Sequence, residues 1–165
     1  MKKIKYSNPL SLLNQKGFSL IELIIILVII SIMIAASSSR LKDITTNAKV
    51  GASINQITGD IDQAKTISMS MRSQIQIIFN QNNETYTIYK DGILYNDFPG
   101  SENGIVNLLG DDNNADVDIT SVSLNGSNTL TFDKWGNCLQ SGTIVLNNDR
   151  QIQIKNLTGH WEIIN

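Results

Sequence analysis

From Phe18 to Ser39 the chain runs for 22 residues with Glu22 as its only charge. As a helix this run would extend roughly 33 Å, enough to cross the hydrocarbon core of a bilayer. Lys2, Lys3, Lys5 and Lys16 precede it with no acid among them. By the positive-inside tendency residues 1–17 stay cytoplasmic and the C-terminal part is sent across the inner (cytoplasmic) membrane in a single pass. Asn8-Pro9 keeps any helix from starting earlier. With 165 residues in all, the part beyond the span is just large enough for one small core. The expected layout is a leader over 1–17, a transmembrane helix over 18–39, an amphipathic continuation over 40–73 and a globular β domain over 74–165.

A secretory signal peptide ending near Ala35-Ala36-Ser37 is the competing reading. The apolar core exceeds the roughly 7 to 15 residues of such signals, and an acid has no use in a discarded segment. A carboxylate within a membrane segment costs on the order of 2.5 to 3.5 kcal/mol on insertion scales, so Glu22 demands a partner or a function.

Gly17-Phe18-Ser19-Leu20-Ile21-Glu22-Leu23 resembles the class III signal of type IV pilins and type II secretion pseudopilins. The resemblance implies that a prepilin peptidase cuts between Gly17 and Phe18 and N-methylates Phe18. Cutting there would leave an ammonium at Phe18 one helical turn from the Glu22 carboxylate. A buried ion pair is useful chiefly because either charge alone is worse, and it can set register between neighbours. By the same resemblance, Glu22 would meet the amino terminus of the adjacent subunit as the chain passes from membrane lipid into a filament. The partners implied are the peptidase, other pilins or pseudopilins of the filament, and an inner-membrane assembly platform.

Beyond Arg40 the pattern turns amphipathic: Ile54, Ile57, Ile61, Ala64 and Ile67 or Met71 recur every three or four residues. This predicts one long helix from Phe18 to Arg72 whose outer half buries a stripe against a sheet. After Arg72 the period becomes two. Gln74–Phe79, Glu84–Tyr89 and Ile93–Tyr95 read as an antiparallel meander, followed over Asn96–Ala115 by a loop with a short Ile105-Val106 strand. Val117–Leu124 and Thr129–Phe132 flank Asn125-Gly126, the strongest hairpin signal in the chain. Short strands at Thr143–Leu146, Gln151–Ile154 and His160–Ile164 close it.

Leu130-Thr131-Phe132-Asp133-Lys134-Trp135-Gly136, Gly142-Thr143-Ile144 and the strand led by Gly159 resemble the C-terminal domain of the GspH/FimT family of minor pseudopilins. That resemblance implies an α+β, pilin-like lollipop, a long helix packed on an antiparallel β-sheet domain. It also implies a low-copy subunit near a filament tip, serving protein secretion or pilus biogenesis. The alternative is a membrane-anchored recognition subunit that binds exported protein or, as in competence-type uptake, DNA.

Charge weighs against nucleic acid. Without the four leader lysines, 9 of the 13 basic residues remain against 15 acids, a net of −6, and from Gln74 onward Lys90, Lys134, Arg150 and Lys155 face 11 acids. Some fimbrial relatives bind DNA through a Gly-Arg motif in the final turn; here that turn is Gly159-His160-Trp161-Glu162. Asp112, Asn114, Asp116 and Asp118 alternate as calcium donors can, but Val117 and Ser123 replace the glycine and glutamate of an EF-hand, so a solvated acidic loop is the expected reading. No other cofactor is implied. His160 is the only histidine and has no nucleophile arranged with it, so no enzyme is expected. Trp135, Trp161 and the lone Cys138 read as core residues.

Overall fold

The computed structural model describes residues 17–108 and 117–164, without the side chains of 37–43. The expected leader, apart from Gly17, lies outside the described residues. The fold is α+β: helix α1 (Leu20–Met71) and an antiparallel β domain against which its later turns pack. The chain divides into two compact units, Met1–Leu41 and Lys42–Asn165.

In the first unit Gly17, Phe18 and Ser19 are non-helical and α1 begins at Leu20. Every described side chain from Phe18 to Ala36 is exposed. Ser31 Oγ donates to the Leu27 carbonyl at 2.7 Å, so the hydroxyl in this apolar run is satisfied within its own helix. Among the described residues no helix is long and apolar enough to cross a membrane.

In the second unit α1 buries Val50, Ile54, Ile57, Ile61 and Ala64, the stripe expected from helical spacing. Of the two residues expected to end the stripe, Ile67 packs partly buried against the core and Met71 does not. Ser68 is fully buried while Met71 is 45% exposed, because the helix closes on itself there. Arg72 takes a left-handed φ of 53° and the Ser73 amide donates to the Ser68 carbonyl at 3.2 Å, a Schellman-type cap that turns the chain away before Met71 reaches the sheet.

Two sheets complete the core. In the first, β3 (Ile93–Leu94), β2 (Thr85–Lys90), β1 (Ile75–Asn80) and β6 (Thr129–Phe132) lie side by side, with β4 (Ile105–Asn107) pairing the other end of β2. The meander therefore forms as read, with Ile77 opposite Ile88 and Lys90 opposite Ile93 across the Asp91-Gly92 turn. The second sheet runs β5 (Ile119–Leu124), β7 (Gly142–Leu146), β8 (Arg150–Ile154) and β9 (Trp161–Ile164). Ile75, Ile77, Phe79, Ile88, Leu130 and Phe132 from the first sheet share one core with Ile119, Leu124, Ile144, Leu146, Ile152 and Ile154 from the second. Each such aliphatic side chain contributes about 1.5 to 3 kcal/mol on burial.

The hairpin expected at Asn125-Gly126 does not form. The dipeptide makes the tight turn it favours, with φ of 52° and 81° and reciprocal backbone bonds between Leu124 and Ser127. Its flanks then separate into different sheets: β5 pairs with β7, while β6 pairs with β1. Other partners outcompete the local ladder. The Ser141 amide and hydroxyl donate to Asn125 Oδ1, each at 3.2 Å, and Asn128 exchanges bonds with the Phe79 backbone at 2.7 and 3.0 Å.

Candidate functional site

The N-terminal candidates sit at a change of backbone state. Gly17 and Phe18 are exposed and non-helical, and the Ser19 carbonyl accepts the first helical bond, from the Leu23 amide at 3.1 Å. The Gly17–Phe18 bond thus lies outside the helical hydrogen-bond ladder. Glu22 is in the first turn of α1 and exposed. There its charge faces the positive end of the helix dipole, the favourable end for a carboxylate. Around it Phe18, Leu20, Ile21, Leu23, Ile24 and Ile25 project on all sides, each between 47% and 77% exposed. A helix that is apolar all round is one that lipid or other helices cover.

The β domain explains the other motif in physical terms. Asp133 follows β6 and folds the next residues around its carboxylate. Oδ1 accepts from the Trp135 and Asn137 amides at 2.8 and 2.9 Å, and Oδ2 from Asn137 Nδ2 at 3.0 Å. These donors, led by the Asn137 side chain, hold the carboxyl below the usual aspartate range. Gly136 closes the loop at φ 82°, where a Cβ would come within 2.5 Å of Met69 Cγ on α1. The Phe-Asp-x-x-Gly spacing is therefore a rigid turn laid against the helix. Gly159, at φ 60°, lies against the Phe132 ring and Cys138, and Cys138 is buried, its backbone bridging the end of β6 to Leu157.

The last strand is tied to α1 by polar contacts. Trp161 Nε1 donates to Asp62 Oδ2 at 3.2 Å, and Lys65 Nζ to the Thr158 carbonyl at 2.6 Å. Trp161 packs partly buried against the core, but Trp135, expected inside, is 58% exposed. The tight Asp133 turn projects it outward, and the Arg72 guanidinium lies 4.9 Å and the Lys134 ammonium 5.5 Å from its ring centre. Alternation along β6 cannot reveal this, because the strand ends at Phe132. Of the calcium candidates, Asp112, Asn114 and Asp116 lie outside the described residues. Asp118 accepts from the Thr120 hydroxyl at 3.0 Å, and among the described residues no cluster of three metal-binding side chains occurs. His160 is exposed, its amide bonded to the Thr158 hydroxyl.

A non-helical Gly17–Phe18 bond ahead of an apolar run, one acid in the first turn of α1 and a β domain packed on its later turns make an α+β arrangement of the pilin-like kind. Residues 12–38 match the family model of the prokaryotic N-terminal methylation motif, a stretch that includes Gly17, Phe18 and Glu22. The match supports a type IV pilin-like protein, and a motif of this kind implies processing by prepilin peptidase and assembly with other pilins in general. No curated protein and no solved structure matches the chain.

Proposed function

We propose that the chain is a minor pilin or pseudopilin of a type IV pilus or a type II secretion pseudopilus. In this reading prepilin peptidase cuts between Gly17 and Phe18 and methylates Phe18. The mature chain waits in the inner membrane on α1 with its β domain outside, then enters the filament near its tip. The observation that carries the proposal is the methylation-motif match at 12–38 falling on a helix whose apolar side chains are uncovered on every side. Glu22 supports it as well. Once the leader is removed it is the acid nearest the new ammonium, and pairing with a neighbour's amino terminus would offset the cost of carrying a carboxylate among apolar helices.

The test is intact-mass and N-terminal analysis of the chain produced together with a prepilin peptidase. The expected product begins with N-methylated Phe18. A product beginning near Ser37 or Ser38 would replace this reading with an ordinary secretory signal.

A further inference from the structure

At the C-terminal end of α1 a basic and aromatic strip crosses the surface of the second unit. Lys90 Nζ lies 5.7 Å from the centre of the Tyr95 ring, and the Tyr95 hydroxyl contacts Met71 Sδ at 3.9 Å. Next to Met71, Arg72 lies over Trp135, which also carries Lys134. In a domain where acids far outnumber bases, none of these three cations is paired with a carboxylate among the described residues. The nearest acids in sequence are turned aside. Asp133 is occupied by its own loop, and Asp91 Oδ1 accepts from the Gln74 amide at 2.8 Å. By contrast Lys155 does have a partner, Glu162 at 3.3 Å.

Arg72 sharpens the point. It occupies the left-handed position after the helix, where glycine is favoured and a long side chain costs about 1 kcal/mol. The cap itself needs only backbone, so the conformation does not require the guanidinium, which instead reaches the indole. Trp, Tyr, Met and Arg are also the residues enriched at protein interfaces, and rigid aromatics anchor partners there.

We propose that this strip binds an acidic segment of a partner protein, with carboxylates received by Arg72, Lys134 and Lys90 and flanking apolar side chains covered by Trp135 and Met71. A guanidinium and an ammonium donate to carboxylates in charge-assisted bonds, and a cation already stacked on a ring is held in place for them. Single-stranded nucleic acid fits less well, because three separate cations on an acidic domain neutralise few phosphates of a backbone. The acidic remainder of the domain also repels a dense polyanion or an anionic bilayer more than it repels a short segment bearing two or three carboxylates.

The full chain in detergent micelles, titrated by calorimetry with a peptide of alternating Glu and Leu, tests the proposal. Saturable binding is expected, weakened about tenfold by Arg72→Gly, Lys134→Gln or Trp135→Ala, as loss of one charge-assisted contact implies. Lys155→Gln should leave it unchanged. Arg72→Gly should keep or raise the unfolding temperature, which separates lost binding from lost fold. Three results would overturn the site: no saturable binding, equal binding of an alternating Gln and Leu peptide, or full binding by the Arg72→Gly chain. Tighter binding of oligo-dT or short-chain phosphatidylserine through the same residues would overturn the choice of partner. None of these outcomes depends on cleavage at Gly17.

Discussion

Asp60 shows how one side chain couples α1 to the sheet. Tyr86, buried in β2, donates its hydroxyl to Asp60 Oδ2 at 2.6 Å. Burial pushes the Asp60 carboxyl above its ordinary 3.8, and the Tyr86 bond offsets this only in part. An aspartate whose folded pKa is raised binds protons more readily in the native state, so stability rises as pH falls from above that pKa to 3.8. Glu84 adds in the same direction: burial raises it from 4.5 despite the bond it accepts from the Ile119 amide. Asp133 has the opposite sign. Its folded pKa is lowered, so its contribution is complete above 3.8 and is lost as pH falls through the folded value. Urea unfolding across a pH series should therefore show stability climbing on acidification toward 3.8 and then falling. Asp60→Asn keeps an acceptor for Tyr86 without the charge, so it should match or exceed wild type at pH 7 and flatten the climb. Asp60→Ala orphans the Tyr86 hydroxyl and should cost about 1 to 3 kcal/mol. Equal stability of the two variants would remove the hydrogen bond from the account.

Among the elements, β5 and β7 meet around Gly142. A Cβ there would fall 1.8 Å from the Ser123 carbonyl oxygen, which belongs to the paired strand and cannot swing aside as a flexible side chain could. Gly142→Ala should destabilise by about 3 kcal/mol or more by chemical denaturation, on the scale of core overpacking. Gly126→Ala, with open space and only its left-handed φ of 81° to maintain, should cost about 1 kcal/mol. A ranking in the reverse order would mean that the Asn125-Gly126 turn, rather than the β5 and β7 pairing, holds this region. The same contrast separates what the sequence reveals from what it conceals. The stripe from Ile54 to Ala64 and the meander through Asp91-Gly92 depend on neighbours within a few residues, so period and turn chemistry expose them. The pairing of β6 with β1 and of β5 with β7 depends on which distant strand captures each edge, and no local pattern encodes that. Trp135 escaped for a related reason. Its exposure follows from the Asp133 carboxylate gathering backbone amides, a short-range detail that composition and periodicity average away.

At the scale of the molecule, the two units bury their apolar surface by different means. From Lys42 onward the chain covers its own side chains in a core shared by α1 and both sheets. From Phe18 to Ile34 it leaves them uncovered, so that unit is complete only in lipid or among other helices. Both surroundings satisfy the apolar side chains about equally well, which gives neither a decisive preference over the other. In the proposed function the Glu22 carboxylate breaks the balance, because lipid would offer it no partner whereas a neighbouring subunit would offer the ammonium created at Phe18. Glu22→Ala should therefore leave cleavage, methylation and membrane fractionation as in wild type, since the apolar run and the Gly17–Phe18 bond are intact. Its share in sheared filaments should fall by about tenfold or more, in keeping with the several kcal/mol that a buried pair loses with one partner. Immunoblots of membrane and filament fractions read the two effects separately. Normal entry into filaments would assign the transfer to helix packing alone, and a loss already at the cleavage step would place Glu22 in peptidase recognition instead.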